Sequence, residues 1–379
     1  MKKWFKRMLW SFLVLVALLV VGYLAFVSFY PSFGGDVSKD RKEAYVSSSQ
    51  FEEGAFRNTV DNIPPDIGFS EGIQLGYKFF TTKVPRKRPK KQLPVQTLNA
   101  ESVAEYAGAT RLVWYGHSSF LLQSEGKNIL LDPMFSDVAA PHPLLGEKRF
   151  TDSLPLAISE LPQIDAVIIS HDHYDHLDYE SIRGLKDKVK HFFTPLGVGV
   201  HLEAWGVNPN QITEMDWWES TTYEGMNFTA TPAQHFSGRK FSNRQETLWS
   251  SWVIELASKE RIYFSGDSGY SDHFKEIGEK HGPFDLALME CGQYNESWST
   301  IHMMPEETAQ AGADLRAKQI MPIHWAGFRL ALHSWTDPIE RVRVAAENLQ
   351  VPLIAPKIGE PFQVQDSTRS LDAWWEEIE

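Results

Sequence analysis

The chain has 379 residues, a formal net charge of −12, 42% hydrophobic residues and one cysteine, which excludes a disulfide framework, a Cys-rich zinc finger and a disordered protein. The charge is uneven: residues 1–110 carry 15 basic and 10 acidic groups, whereas residues 111–379 carry 22 and 39. An acidic main body repels polyanions, so no nucleic-acid partner is expected, and the lack of a fixed-period repeat excludes solenoids and propellers.

Residues 8–30 are 23 positions without a charge. As a helix this stretch is about 34 Å long, enough for a bilayer core of about 30 Å. Lys2, Lys3, Lys6 and Arg7 precede it, and Trp4, Trp10, Tyr23 and Tyr30 lie toward its ends, where interfacial aromatics belong. A cleaved signal peptide is the competing reading. The apolar run exceeds the roughly 7–15 residues usual there and no clear small-x-small site follows, which favours an uncleaved anchor. The four leading cations outweigh Lys39, Arg41 and Lys42 farther on. The expectation is a single-pass protein of the cell membrane with its main domain outside the cytoplasm.

Residues 1–30 thus read as an anchor with a basic flank, 31–110 as a linker and arm with little periodicity, and 111–379 as the main domain. Within the arm, PRKRPKK (85–91) puts five cations in seven residues. Contact with anionic headgroups competes there with a solvated loop, the commoner state of such blocks.

From Arg111 the pattern is orderly. Residues 111–115, 119–123 and 128–132 read as strands, and 164–170 is a near-continuous apolar run, as in a strand covered on both faces. Residues 245–256 and 261–267 read as a hairpin, 284–290 and 319–324 as further buried strands. Residues 305–315, with Pro at the first turn and two acids beside it, and 337–350 read as helices. Strands interleaved with helices predict a layered α/β protein.

The chemistry concentrates in SHDHYDHLD (170–178), directly after the buried strand. His171 and His173 are two apart, so in extended chain they point the same way. Asp175 and His176 follow. Four imidazole and carboxylate donors within six residues suit zinc, and such a cluster has no packing rationale, because its desolvation needs a compensating cation. His235, Asp267 and His324 each stand just past a buried β run, where open α/β sheets gather ligands.

The His-x-His-x-Asp-His element, followed by a later His, a Gly-Asp and a final His, resembles the metallo-β-lactamase fold superfamily. Within it, LLDPMFS, the stretch from KRFTDSL to HDHYDHLDY, TPLGVG, DWW, TPAQHFSGR, FSGDSGY, EIGEKHGPFDLALM, HMMPEE and IHWAGF are similar, in order, to the N-acyl-phosphatidylethanolamine-hydrolysing phospholipase D family, over roughly residues 111–355. The resemblance implies an αβ/βα four-layer sandwich with two zinc ions at one edge. It implies that His171, His173 and His235 hold one ion, that Asp175, His176 and His324 hold the other, and that Asp267 bridges them. It further implies hydrolysis of a phosphodiester by a water activated between the ions, releasing an N-acylethanolamine. The expected partners are then a phospholipid substrate, the lipid bilayer and, with the oligomeric state open, a second copy in a homodimer.

His117, in a turn between strands, and His302, ahead of the 305–315 helix, are candidates beside Asp175 for catalytic roles. Asp132 is a candidate acceptor for a ligating imidazole. Trp217 and Trp218 read as core packing rather than as a lipid groove. MECGQYNES (289–297), Met303 and Met304 depart from the family pattern, as does the anchor, and place the substrate in question. A lactonase of the same fold and a non-catalytic metal-binding scaffold are the alternatives. An apolar groove toward the anchor marks a lipid substrate, a closed polar pocket with several arginines a sugar acid.

Overall fold

In the computed structural model, which describes residues 2–61, 63, 69–366 and 371–378, the apolar N-terminal stretch forms one helix, Lys2–Phe29. Among the described residues it is the one helix long and apolar enough to cross a membrane, a criterion that a signal sequence also meets.

Beyond it, a two-strand hairpin, β1 (Phe51–Glu52) and β2 (Ala55–Phe56), precedes two large sheets. The first is built from β3 (Arg111–Trp114), β4 (Phe120–Ser124), β5 (Lys127–Leu131), β6 (Ile164–Ile168), β7 (Val189–Pro195) and β8 (Ile212–Met215). The second contains β9 (Ser220–Tyr223), β10 (Met226–Thr231), β11 (Ser251–Glu255), β12 (Arg261–Phe264), β13 (Leu286–Glu290) and β14 (Ile320–Ile323). The last strand, β15 (Pro361–Gln363), returns to the first sheet beside β3. The orders are β15-β3-β4-β5-β6-β7-β8 and β14-β13-β12-β11-β10-β9.

Both sheets are mixed, and each packs one face on the other. Strand β4 shows how: Phe120 and Leu122 join the core between the sheets, whereas Leu121 faces a second core with Ile182, Leu185 and Leu202. Those three residues belong to helices Tyr179–Leu185 and Gly199–Ala204. Helices His273–His281, Pro305–Asp314 and Asp337–Leu349 cover the outer face of the second sheet through Phe274, Ile277, Ala309, Ile339 and Val342. Period-2 alternation with both faces covered gives the four layers expected.

Three local expectations change. Residues 245–250 are not strand; their apolar pattern comes from Leu248 and Trp249, which pack in a separate cluster with Tyr45, Phe56 and Trp217. The arm is more ordered than its lack of periodicity suggests. It holds helices Lys39–Tyr45, Phe69–Thr81 and Ala100–Ala104, and it is pinned by Leu93 N–H to Phe150 O at 2.7 Å and Gln96 N–H to Ile358 O at 2.9 Å. In the basic block, Arg86 donates to Thr336 and Arg88 pairs with Glu147 at 2.8 Å, so these two cations are tied to the main domain.

Candidate metal centre

Strands β3, β5, β6, β10, β12, β13 and β14 run so that their C-terminal ends meet at one edge of the sandwich, and every candidate donor lies just beyond one of them or in the loops there. The backbone is held in unusual conformations to do this. His117, Asp132 and His324 have positive φ (53°, 37° and 66°), a region that side chains other than glycine rarely occupy and that clusters at functional sites. Two glycines permit the close approach. A Cβ on Gly292 would lie 1.8 Å from His324 O, and one on Gly266, the residue before Asp267, 2.6 Å from the Ser170 Cβ.

The donors form two groups that share a wall. His171, His173, His235 and Asp267 each offer a ligand atom within 4.8 Å of the others, and so do His117, Asp175, His176 and His324. Asp267 faces both: its Oδ2 lies 3.8 and 3.7 Å from Nε2 of His171 and His235, while its Oδ1 lies 3.1 Å from His176 Nε2 and 3.1 Å from His324 Nδ1. His302 joins Asp267 and His324 in a third, overlapping group. The seven residues expected as ligands are therefore brought together. His117, expected nearby, stands inside the second group with Nε2 2.9 Å from Asp175 Oδ2.

The donor set fits divalent cations. His171 Nε2 and His235 Nε2 both converge on His173 Nδ1 at 2.9 and 3.1 Å, three ring nitrogens close enough to share one cation. His176 Nε2 and Asp267 Oδ1 are buried and lack a hydrogen-bond partner, although they are near neighbours. The far nitrogens are held: His176 Nδ1 by Asp132 at 2.6 Å, His171 Nδ1 by the Ser170 hydroxyl at 2.9 Å and His235 Nδ1 by Ile301 O at 3.0 Å. Outer partners of this kind fix the orientation of ligating imidazoles.

The electrostatics agree. Burial, reinforced by neighbouring imidazoles, holds His171 and His235 well below the usual histidine range, which leaves them neutral, the form that ligates. Burial would raise Asp267 and Asp175, but the surrounding histidines hold both well below the carboxylate range. His176 is pushed the other way against its burial by Asp267, Asp175 and Asp132. Two carboxylates, Asp267 and Asp175, thus concentrate negative charge where a cation would sit, with Asp132 behind His176.

Three contributors carry no local sequence signal or a weak one. Asn58, in the arm, accepts from His235 N–H at 3.1 Å and donates to His235 O at 2.7 Å, clamping a donor from far along the chain. Ser170 donates through N–H and hydroxyl to Asp132 at 2.7 and 2.5 Å. Glu290, at the end of β13, accepts from Met303 N–H at 2.9 Å and faces His302 Nδ1 at 3.3 Å; burial pushes its carboxyl up to about 7. Its place at the end of a buried strand is the same cue that marks Asp267. The departing stretch 289–297 does border the site through this residue, and Cys291 is a buried core residue. Trp217 packs in a core cluster, as expected, and Trp218 stacks on His281.

A two-sheet α/β sandwich with paired His/Asp donor groups at one edge defines a metal-dependent hydrolase. The Beta-lactamase superfamily domain matches residues 127–325, and the chain belongs to that superfamily, in its metallo-β-lactamase fold. It is 39% identical over 354 residues to an uncharacterized protein of Mycobacterium tuberculosis, covering 91% of each chain. It is 32% identical over 292 residues to N-acyl-phosphatidylethanolamine-hydrolyzing phospholipase D 1 of Caenorhabditis elegans, covering 72% of this chain and 81% of that one. Among solved structures, the isothiocyanate hydrolase from Delia radicum gut bacteria shares the fold with a TM-score of 0.53 at 20% identity, covering 66% of this chain and 98% of that one.

Proposed function

We propose that the chain is a membrane-anchored, two-zinc phosphodiesterase of phospholipase D type, acting on N-acyl-phosphatidylethanolamine or a related phospholipid. The observation that carries this reading is the pair of donor groups with Asp267 facing both, in a chain whose relative in C. elegans bears that activity in its name. The set is nitrogen and carboxylate with no thiolate, which suits zinc. A mostly apolar cleft, with Arg239, Lys240 and Arg244 on its lining, is bounded by Tyr174 and Phe236, the chain neighbours of His173 and His235; its open, largely apolar wall supports a lipid over a sugar acid.

His171, His173 and His235 would hold one ion, Asp175, His176 and His324 the other, with Asp267 between. Such a pair supplies Lewis-acid charge neutralisation and lowers the pKa of water toward neutrality. The protein's own part is positional. Asp132 and Ser170 fix the ring planes of His176 and His171, and His117 holds Asp175. His302, steered by Glu290 at Nδ1, is placed to hand a proton to the oxygen that departs. Water attacks phosphorus and gives up a proton, the bond to the ethanolamine oxygen breaks, that oxygen takes the His302 proton, and the proton from water restores His302. The products are phosphatidic acid and an N-acylethanolamine. The anchor keeps the site beside its substrate and raises effective concentration.

The test is incubation of the detergent-solubilised chain with N-acyl-phosphatidylethanolamine, an acyl lactone and a generic phosphodiester, with and without chelator. Chelator-sensitive release of phosphatidic acid from the first is expected. Cleavage of the lactone alone would overturn the lipid assignment.

A further inference from the structure

Resting on the anchored phospholipase reading, we propose that the N-terminal helix is part of the substrate site. It forms one wall of a cleft that takes an acyl chain of a glycerophospholipid directly from the bilayer, and so acts as a loading ramp as well as a tether.

The cleft has a volume of about 650 Å³, within the roughly 300–1,000 Å³ range of ligand pockets. Tyr23, Phe26 and Val27 of the helix line one side, and Tyr174 and Phe236 of the main domain line the other. Tyr174 stands between His173 and Asp175 in the chain, and Phe236 follows His235. The Phe236 ring is 4.5 Å from that of His173 and 4.9 Å from that of His235. The cleft therefore ends against the Phe236 ring, which also neighbours the rings of His173 and His235.

Depth in the bilayer points to the same occupant. From Met8, a core of about 30 Å at 1.5 Å per residue ends near Val27. The helix residues that line the cleft thus sit where acyl chains meet headgroups. The main domain presents apolar tips at that level. Leu144, Leu145 and Phe241 are 86%, 62% and 87% exposed. They are next to the helix, with Phe241 6.5 Å from Tyr23 and His142 5.2 Å from Tyr30. Exposed apolar tips beside an anchor are suited to shallow insertion in the interface. At the mouth, exposed Arg244 lies over Phe236 at 5.2 Å and lines the cleft, a cation placed for an anionic phosphodiester as the chain below it enters. Phe26 packs edge-on against Phe33 at 5.1 Å, Phe33 meets Tyr174 at 6.3 Å, and Arg239 donates to Ser32 O at 2.8 and 2.6 Å, so the helix end is tied to the main domain through the turn that follows it.

The experiment is photolabelling of the chelator-stripped full chain in phosphatidylcholine/phosphatidylglycerol vesicles. The probe is a trace of phosphatidylcholine carrying a diazirine at the end of one acyl chain. Adducts are expected on the peptides holding Tyr174 and Phe236. Val27→Trp and Leu145→Trp, which fill the cleft from opposite walls, are each expected to lower them about tenfold. Leu145 is on an exposed loop, so that variant keeps its fold even if the helix variant does not insert. Adducts confined to residues 8–20, adducts unchanged in both variants, or crosslinks to a second copy would overturn the proposal. The readout uses no turnover. A labelled cleft in a chain that hydrolyses no phosphodiester defeats the phospholipase reading alone. Hydrolysis of bilayer lipid with an unlabelled cleft defeats this proposal alone.

Discussion

Replacing Asp132 by Asn tests whether the donor groups are tuned from behind. Asp132 is fully buried and touches no candidate ion position itself. Its Oδ2 takes His176 Nδ1 at 2.6 Å and the Ser170 hydroxyl at 2.5 Å, and its Oδ1 takes Ser170 N–H at 2.7 Å. Asparagine keeps the shape and one acceptor oxygen but loses the charge, and turns a donor toward either Ser170 or His176. Loss of one hydrogen bond to a charged group costs about 1.5–3 kcal/mol. Loss of an outer carboxylate behind a ligating imidazole typically weakens metal affinity by about 10–100-fold, or about 1.4–2.7 kcal/mol. The two routes agree. The assay is competition of the full chain against a chromophoric zinc chelator. One equivalent is expected to weaken by about 10–100-fold while the other shifts less, because Ser170 reaches His171 only secondarily. Unchanged affinity for every equivalent would refute the link from Asp132 through His176 to the metal.

Other consequences are as direct. Asp267→Asn removes the carboxylate of the first group that also faces His176 and His324 of the second; hydrolysis is expected to fall by more than the about 100-fold of an outer loss while the circular dichroism spectrum is kept, and unaltered turnover would contradict the bridge. Glu290→Gln retains an acceptor for Met303 N–H but removes the charge facing His302. Turnover is expected to fall by less than the about 10²–10⁴-fold of a positioned acid, with metal content unchanged; matching loss of metal would make Glu290 merely structural. Burial lowers His273 to about 3, whereas the unfolded chain takes up that proton near 6.5. Its folded value is depressed, so stability is full above 6.5 and declines as pH drops from there toward 3. The decline is about 2 kcal/mol at pH 5, and denaturant unfolding of His273→Gln should show that much less difference between pH 7 and pH 5 than the parent.

Much of the fold and site was legible in sequence because the informative residues are local. His171, His173, Asp175 and His176 lie in six consecutive positions, and the apolar run before them has the continuous character of a strand buried on both faces. His235, Asp267 and His324 could be found because donors at strand ends stand out against Val, Ile and Leu. The short strands Ser220–Tyr223 and Pro361–Gln363 could not, since their order comes from partners: Ser220–Tyr223 is a half-exposed edge that exists by pairing with β10, and Pro361–Gln363 by pairing with β3. The arm was hidden for the same reason. Tyr45, Phe56 and Leu93 are too sparse to give a period, yet each is buried against residues distant in the chain. Asn58 shows the limit most clearly. Nothing around it distinguishes it from a turn residue, and its role appears only when folding brings His235 to its amide.

The most direct test of the whole account is a titration of chelator-stripped full-length chain with zinc, following hydrolysis of N-acyl-phosphatidylethanolamine at each addition. Two donor groups joined through Asp267 predict negligible rate without metal and a rise that levels off at about two equivalents per chain. Full activity in the stripped protein, or saturation without any dependence on added cation, would contradict it.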